Sequence, residues 1–148
     1  LRTPDKGRKY GPYHFWMDTA RKERESMPQT KGVVYLAGPI SSNLDGYQRE
    51  FSFARELVKG AGYTPVDTAF LPLGLKENDY MRISLSVLEA ADTVVALKGW
   101  THSQGAQIEW AYAQRTGKRR LTLAQFCEEN HIRTALVDPE GASNEKAG

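Results

Sequence analysis

The chain has 148 residues, 40% of them hydrophobic, and a formal net charge of +2, which suits one domain with a real core and leaves little for a second. So small a charge does not point to a nucleic-acid partner, and no apolar run approaches the ~18 residues that a bilayer-spanning helix needs. The single cysteine, Cys127, excludes an intramolecular disulfide and suits a reducing compartment.

The basic residues gather at the front. Arg2, Lys6, Arg8, Lys9, Arg21, Lys22, Arg24 and Lys31 face only Asp5, Asp18, Glu23 and Glu25, so residues 1–32 read as a basic N-terminal arm. The arm carries an aromatic cluster (Tyr10, Tyr13, Phe15, Trp16) expected to dock on the domain or on a partner chain, and a short polar helix over 16–25. It lacks the apolar centre of a signal peptide, so a cytoplasmic protein is expected.

The domain spans 33–137. Val33 to Ala37 is a continuous apolar, β-branched run closed by Gly38-Pro39, the pattern of a central parallel strand. A small, hydroxyl-rich loop (Ile40, Ser41, Ser42, Asn43) precedes a helix from about Tyr47 to Lys59. Tyr63 to Val66 reads as a shorter strand whose Pro65 suits a sheet edge or a strand start. The loop from Asp67 to Asn78 is long enough to form a lid or a pocket wall. A helix is expected from Asp79 to Ala91, a strand from Thr93 to Leu97, and a helix from Gln104 to Thr116. Lys118 to Thr122 reads as a fourth strand, Leu123 to His131 as a last helix, and 138–148 as a flexible polar tail. Apolar strands alternating with helices specify an α/β fold: a small doubly wound, Rossmann- or flavodoxin-like parallel sheet of four to five strands, with helices on both faces.

The stretch from Asp92 to Trp110 organises this plan: a strand, a break at Gly99, and a helix restarting after Ser103-Gln104-Gly105. Open α/β sheets bind ligands at such places. Ser103 supplies a cap hydroxyl, and Gly105 stands four residues before Glu109, clearing space above its carboxylate on the same helix face. The positive end of the helix favours an ionised acid. These features leave Glu109 either a functional acid or a solvated helix residue, with the reaction undetermined.

Val34-Tyr35-Leu36-Ala37-Gly38-Pro39, Ala91-Asp92-Thr93-Val94-Val95-Ala96 and Ser103-x-Gly105-x-x-x-Glu109 together resemble the nucleoside 2-deoxyribosyltransferase-like superfamily. This group includes nucleoside 5'-monophosphate N-glycosidases. Tyr80-Met81-Arg82 and Gly99-Trp100 are most similar to its small phage and bacterial members. The resemblance covers Val33 to Thr122. It implies that Glu109 attacks the anomeric carbon and holds a covalent glycosyl-enzyme, oriented by Tyr35. It also implies that Gly38, Pro39, Ile40, Ser41, Ser42, Ser103 and Gly105 surround a 5'-phosphate. By position alone, His102 beside Ser103 is placed to touch a phosphate or base, and Trp100 at the strand exit to stack on a base or to close the core.

No metal or organic cofactor is implied, and His14, His102 and His131 have no metal-ligand spacing. The implied partners are a nucleoside or nucleotide substrate and further copies of the chain, as a homodimer or larger homo-oligomer. The sequence departs from the family at Ser84, which stands where the family carries the acid that helps protonate the leaving base. Asp67 or Asp79 is then the alternative donor. The expected function is N-glycosidic cleavage of a nucleoside 5'-monophosphate or deoxynucleoside, by hydrolysis or by transfer to another base. Competing readings are a nucleotide-sensing module that has lost turnover and an NAD glycohydrolase.

Overall fold

A computed structural model describes residues 12–26 and 29–134. The sheet is built on β1 (Val33–Ala37), which pairs in parallel with β2 (Thr64–Val66) on one side and β3 (Thr93–Ala96) on the other. β4 (Arg119–Thr122) completes the order β2-β1-β3-β4. Tyr35 stands in register with Val66 and Val94, at the centre of the sheet. Pro65, which has no amide to donate, lies in edge strand β2.

From β1 the chain steps outward to β2, then back across β1 to β3 and on to β4. Right-handed crossovers therefore send the helix of the first step to one face and those of the later steps to the other. Accordingly, α2 (Tyr47–Gly60) packs on Val34, Leu36, Val95 and Leu121 through Phe51, Ala54 and Val58, with Phe126 of α5 (Leu123–Glu129) beside them. The opposite face, Tyr35, Ala37 and Val94, is covered by Leu88 of α3 (Glu77–Glu89) and by Ala106 and Ala113 of α4 (Gln104–Arg115). Strand side chains alternate between the two faces, so both sides of β1 are buried and the whole run is apolar.

Local chemistry sets the ends. Thr122 and Gln125 form a reciprocal capping box at the start of α5. Lys118 donates to the carbonyls of Ala91, at 2.7 Å, and Glu89, at 3.2 Å, both freed by the end of α3. Asp92 accepts the amide of Val33 at 3.2 Å and so serves the strand start.

Two boundaries differ from the sequence reading. α3 begins at Glu77, two residues before the expected start, because no capping side chain marks it: Lys76 occupies the cap position without a side-chain bond. In the arm, α1 (Pro12–Ser26) is a 15-residue helix rather than the short 16–25 segment; proline is well suited to the first helical position. The Trp16 side chain is largely exposed. The expected docking of Tyr10 to Phe15 and the expected tail at 138–148 fall on side chains outside the described ones. Among the described residues no helix is long and apolar enough to cross a membrane.

Candidate active site

The strand order reverses between β1 and β3, and chains leaving their carboxyl ends diverge there to open a crevice. Two glycines shape it. Gly38 lets the exit of β1 lie against β3: a Cβ there would sit 2.9 Å from Cβ of Leu97, whose own amide donates to Ala37 O at 2.8 Å. Gly99 turns the chain with φ of +81°, a conformation side chains disfavour. A 3-10 turn at Trp100–His102 then leads to Ser103, whose Oγ accepts the Ala106 amide at 3.3 Å and caps α4.

The resulting pocket has a volume of about 570 Å³, within the range of small-molecule sites. Its floor is formed by Gly38, Ile40, Ser41 and Ser42 after β1 and by His102 and Ser103 after β3. α4 contributes Gln104, Gly105, Ile108 and Glu109, and the loop after β2 contributes Thr68, Ala69, Leu71, Leu73, Gly74 and Leu75. α3 turns Glu77, Tyr80, Met81 and Ser84 toward it, a stripe at i, i+3, i+4 and i+7. The outer lip is aliphatic: Leu44, Leu73, Leu75 and Ile108 line it while remaining exposed.

Glu109 is the deep carboxylate of this pocket, with 7% of its surface accessible. The Tyr35 hydroxyl is its side-chain hydrogen-bond partner, whereas Oε2 is buried with no partner at all. Burial pushes the carboxyl up to about 7, opposed by the hydrogen bond from Tyr35. The sequence reading weighed only the helix end, which favours the ionised form; desolvation outweighs it here. Tyr35 is itself held far above the ordinary phenol range, by burial first and then by the Glu109 charge. It thus remains a neutral O–H donor, and Thr68 hydrogen-bonds to it in turn.

The structure brings Gly38, Ile40, Ser41, Ser42, Ser84, His102, Ser103, Gly105 and Glu109 to one pocket, with Tyr35 behind Glu109. Pro39 and Trp100 do not line it. Trp100 stacks on Trp110 at 4.6 Å between ring centres, and Arg120 lies 4.9 Å from the Trp110 ring, so of its two expected roles Trp100 takes the core-closing one.

Neither expected proton donor faces the pocket. Asp67 is buried and accepts Arg55 Nε at 2.6 Å, Arg55 Nη2 at 3.0 Å and the Ala69 amide at 2.9 Å. Both of its oxygens are thus already engaged within the protein. Asp79 falls off the pocket stripe of α3 and instead lies 3.8 Å from Arg82. Ser84 Oγ donates to Met81 O at 3.2 Å. The sequence reading missed Glu77, Tyr80 and Met81 as pocket residues. Starting α3 at Asp79 left Glu77 outside the helix, whereas Tyr80 and Met81 lay within it and were given no place in the site.

Residues 32–122 match the family described as "Domain of unknown function (DUF4406)", and the chain belongs to that family. No curated protein matches it. Among solved structures, a 2-desoxiribosyltransferase from Leishmania mexicana is similar, with a TM-score of 0.50 and 22% identity over 61% of this chain. The match spans 62% of that protein's length. The likeness is one of fold, an α/β parallel sheet of the same kind.

Proposed function

We propose that this protein cleaves the N-glycosidic bond of a nucleoside 5'-monophosphate or deoxynucleoside through a covalent glycosyl-Glu109 intermediate. One observation carries the reading: Glu109 Oε2 is buried, without a partner, in a carboxylate that lines the pocket. A desolvated oxygen with no hydrogen bond is costly unless a ligand meets it, and a nucleophile needs such a free lone pair. The Tyr35 hydroxyl orients the group. Attack on the anomeric carbon forms the C1'–O bond as the C1'–N bond breaks. Water, or a second base, then displaces the carboxylate at the same carbon, with net retention.

The site favours a phosphate at its floor. Ser41, Ser42 and Ser103 offer hydroxyls, and Gln104 and Gly105 precede the first intrahelical bond of α4, from the Gln107 amide to Ser103 O at 2.9 Å. His102 is the one basic side chain among the described lining residues. The base would lie toward the aliphatic lip. That lip, with Phe70 exposed nearby, is also where a second copy of the chain would complete the pocket in a homo-oligomer.

The test is base release from nucleosides, deoxynucleoside monophosphates and NAD by wild type and Glu109→Ala. We expect release from a monophosphate that Glu109→Ala abolishes, and a 2'-fluoro analogue should leave a glycosyl adduct on Glu109, detected by peptide mass spectrometry. Release that survives Glu109→Ala would remove the nucleophile assignment. Tight nucleotide binding without any release would instead indicate a sensing module.

A further inference from the structure

Resting on the N-glycosidase reading, we propose that Glu77 is the acid–base partner of Glu109. A purine or pyrimidine leaves poorly as an anion, so its departure calls for a proton donor. Glu109 cannot supply the proton, since its oxygen is making the bond to carbon. Retaining glycosidases divide these two tasks between two carboxyl groups.

Among the described residues that line the pocket, the carboxyl groups are those of Glu109 and Glu77. Asp67 is held by Arg55 and the Ala69 amide, and Asp79 is off the pocket stripe. Glu77 stands on that stripe, seven residues before Ser84, at the first position of α3. Its presentation is fixed from the loop side. The Tyr80 hydroxyl donates to Pro72 O and accepts the Leu75 amide at 3.2 Å, tying the segment just before α3 to the helix one turn beyond Glu77. The Glu77 side chain is exposed, so it exchanges protons with solvent between turnovers. Glu109, buried on α4, does not need to.

The two steps balance. The Glu77 carboxyl gives its proton to a nitrogen of the base as the C1'–N bond breaks and Glu109 bonds to C1'. The Glu77 carboxylate then takes a proton from water as that oxygen bonds to C1' and Glu109 departs. One nucleotide and one water yield free base and sugar phosphate, with both carboxyl groups restored.

The experiment compares Glu77→Gln with wild type in single turnover on two substrates: a nucleoside 5'-monophosphate, and the matching 4-nitrophenyl glycoside 5-phosphate, whose nitrophenolate leaves without a proton. Thermal melting confirms that the variant is folded. We expect Glu77→Gln to slow base release 100-fold or more while nitrophenolate release stays within a few-fold of wild type. Equal losses on both substrates, no loss on either, or the selective loss appearing in Asp79→Asn instead would overturn the proposal while leaving the N-glycosidase reading intact. A wild-type protein inert on both substrates would remove the two together.

Discussion

The Tyr35 hydroxyl hydrogen-bonds to the Glu109 carboxyl group and leaves its Oε2 buried without a partner. One residue comes from the central strand and the other from the helix after β3, so the pairing exists only once α4 has packed on β1. It sets the charge state of Glu109, because this hydrogen bond is the influence that lowers a carboxyl group otherwise raised by burial.

Tyr35→Phe should therefore raise the Glu109 carboxyl further above about 7. Only the ionised form attacks, so release of 4-nitrophenolate, which needs no proton donor, rises as pH rises through that value, and the variant's rising limb on that substrate should move to higher pH. At pH 7 we expect a loss of about tenfold or more, partly recovered at pH 9. The kcat/KM profile of the variant beside wild type is the measurement. A uniform loss at every pH would assign Tyr35 to packing alone.

Glu109 also trades stability for its charge. Burial pushes its carboxyl from the ordinary 4.5 up to about 7 in the folded chain. Between those values the folded chain binds the extra proton, so stability falls as pH rises across this window and stays low above it. The penalty is at most on the order of 3 kcal/mol. Glu109→Gln should remove it, making the variant about 1–3 kcal/mol more stable than wild type at pH 8, with little or no gain at pH 4.5. Urea denaturation at the two pH values checks this; a gain independent of pH would contradict the linkage.

The apolar run 33–37, the helix stop at Gly117 and the Ser103 cap are local signals, and the sheet, its parallel sense and the start of α4 were all legible from them. The Ser103, Gly105 and Glu109 spacing likewise placed three residues in one pocket, since four residues on a helix share a face. What the sequence hid depends on phase and on tertiary partners. α3 starts after a lysine with no capping side chain, and a two-residue error there left Glu77 outside the helix and Asp79 as its first acid. The bond between Asp67 and Arg55 joins residues on different elements, so nothing local announced that Asp67 was already occupied. The unpartnered oxygen of Glu109 is a property of the packed core and has no sequence signature.

That ion pair supports the site from behind. The Asp67 side chain is almost wholly buried, whereas the Arg55 side chain is about a quarter exposed. Arg55→Ala would leave a buried carboxylate with only the Ala69 amide, at a cost of about 2–4 kcal/mol. Thr68, the neighbour of Asp67, bonds to Tyr35, so activity should fall as well. Adding Asp67→Asn should restore more than half of the lost stability, because the unpaired charge is then gone. Chemical denaturation of the single and double variants reads this directly.

Two glycines make opposite predictions under the same substitution. At Gly38 a Cβ would meet the Leu97 side chain at 2.9 Å, where β1 and β3 leave the sheet together and neither strand has room to move. Gly38→Ala should cost about 1–3 kcal/mol through overpacking and shift the floor of the pocket, raising KM. At Gly60, the last residue of α2, a Cβ meets nothing within 4 Å. Gly60→Ala should stabilise by about 0.4–1 kcal/mol, since it reduces the freedom of the unfolded chain and suits a helix. Thermal melts of the two variants beside wild type separate the cases. If both shifted Tm in the same direction, close approach at Leu97 would not be the reason for glycine at position 38.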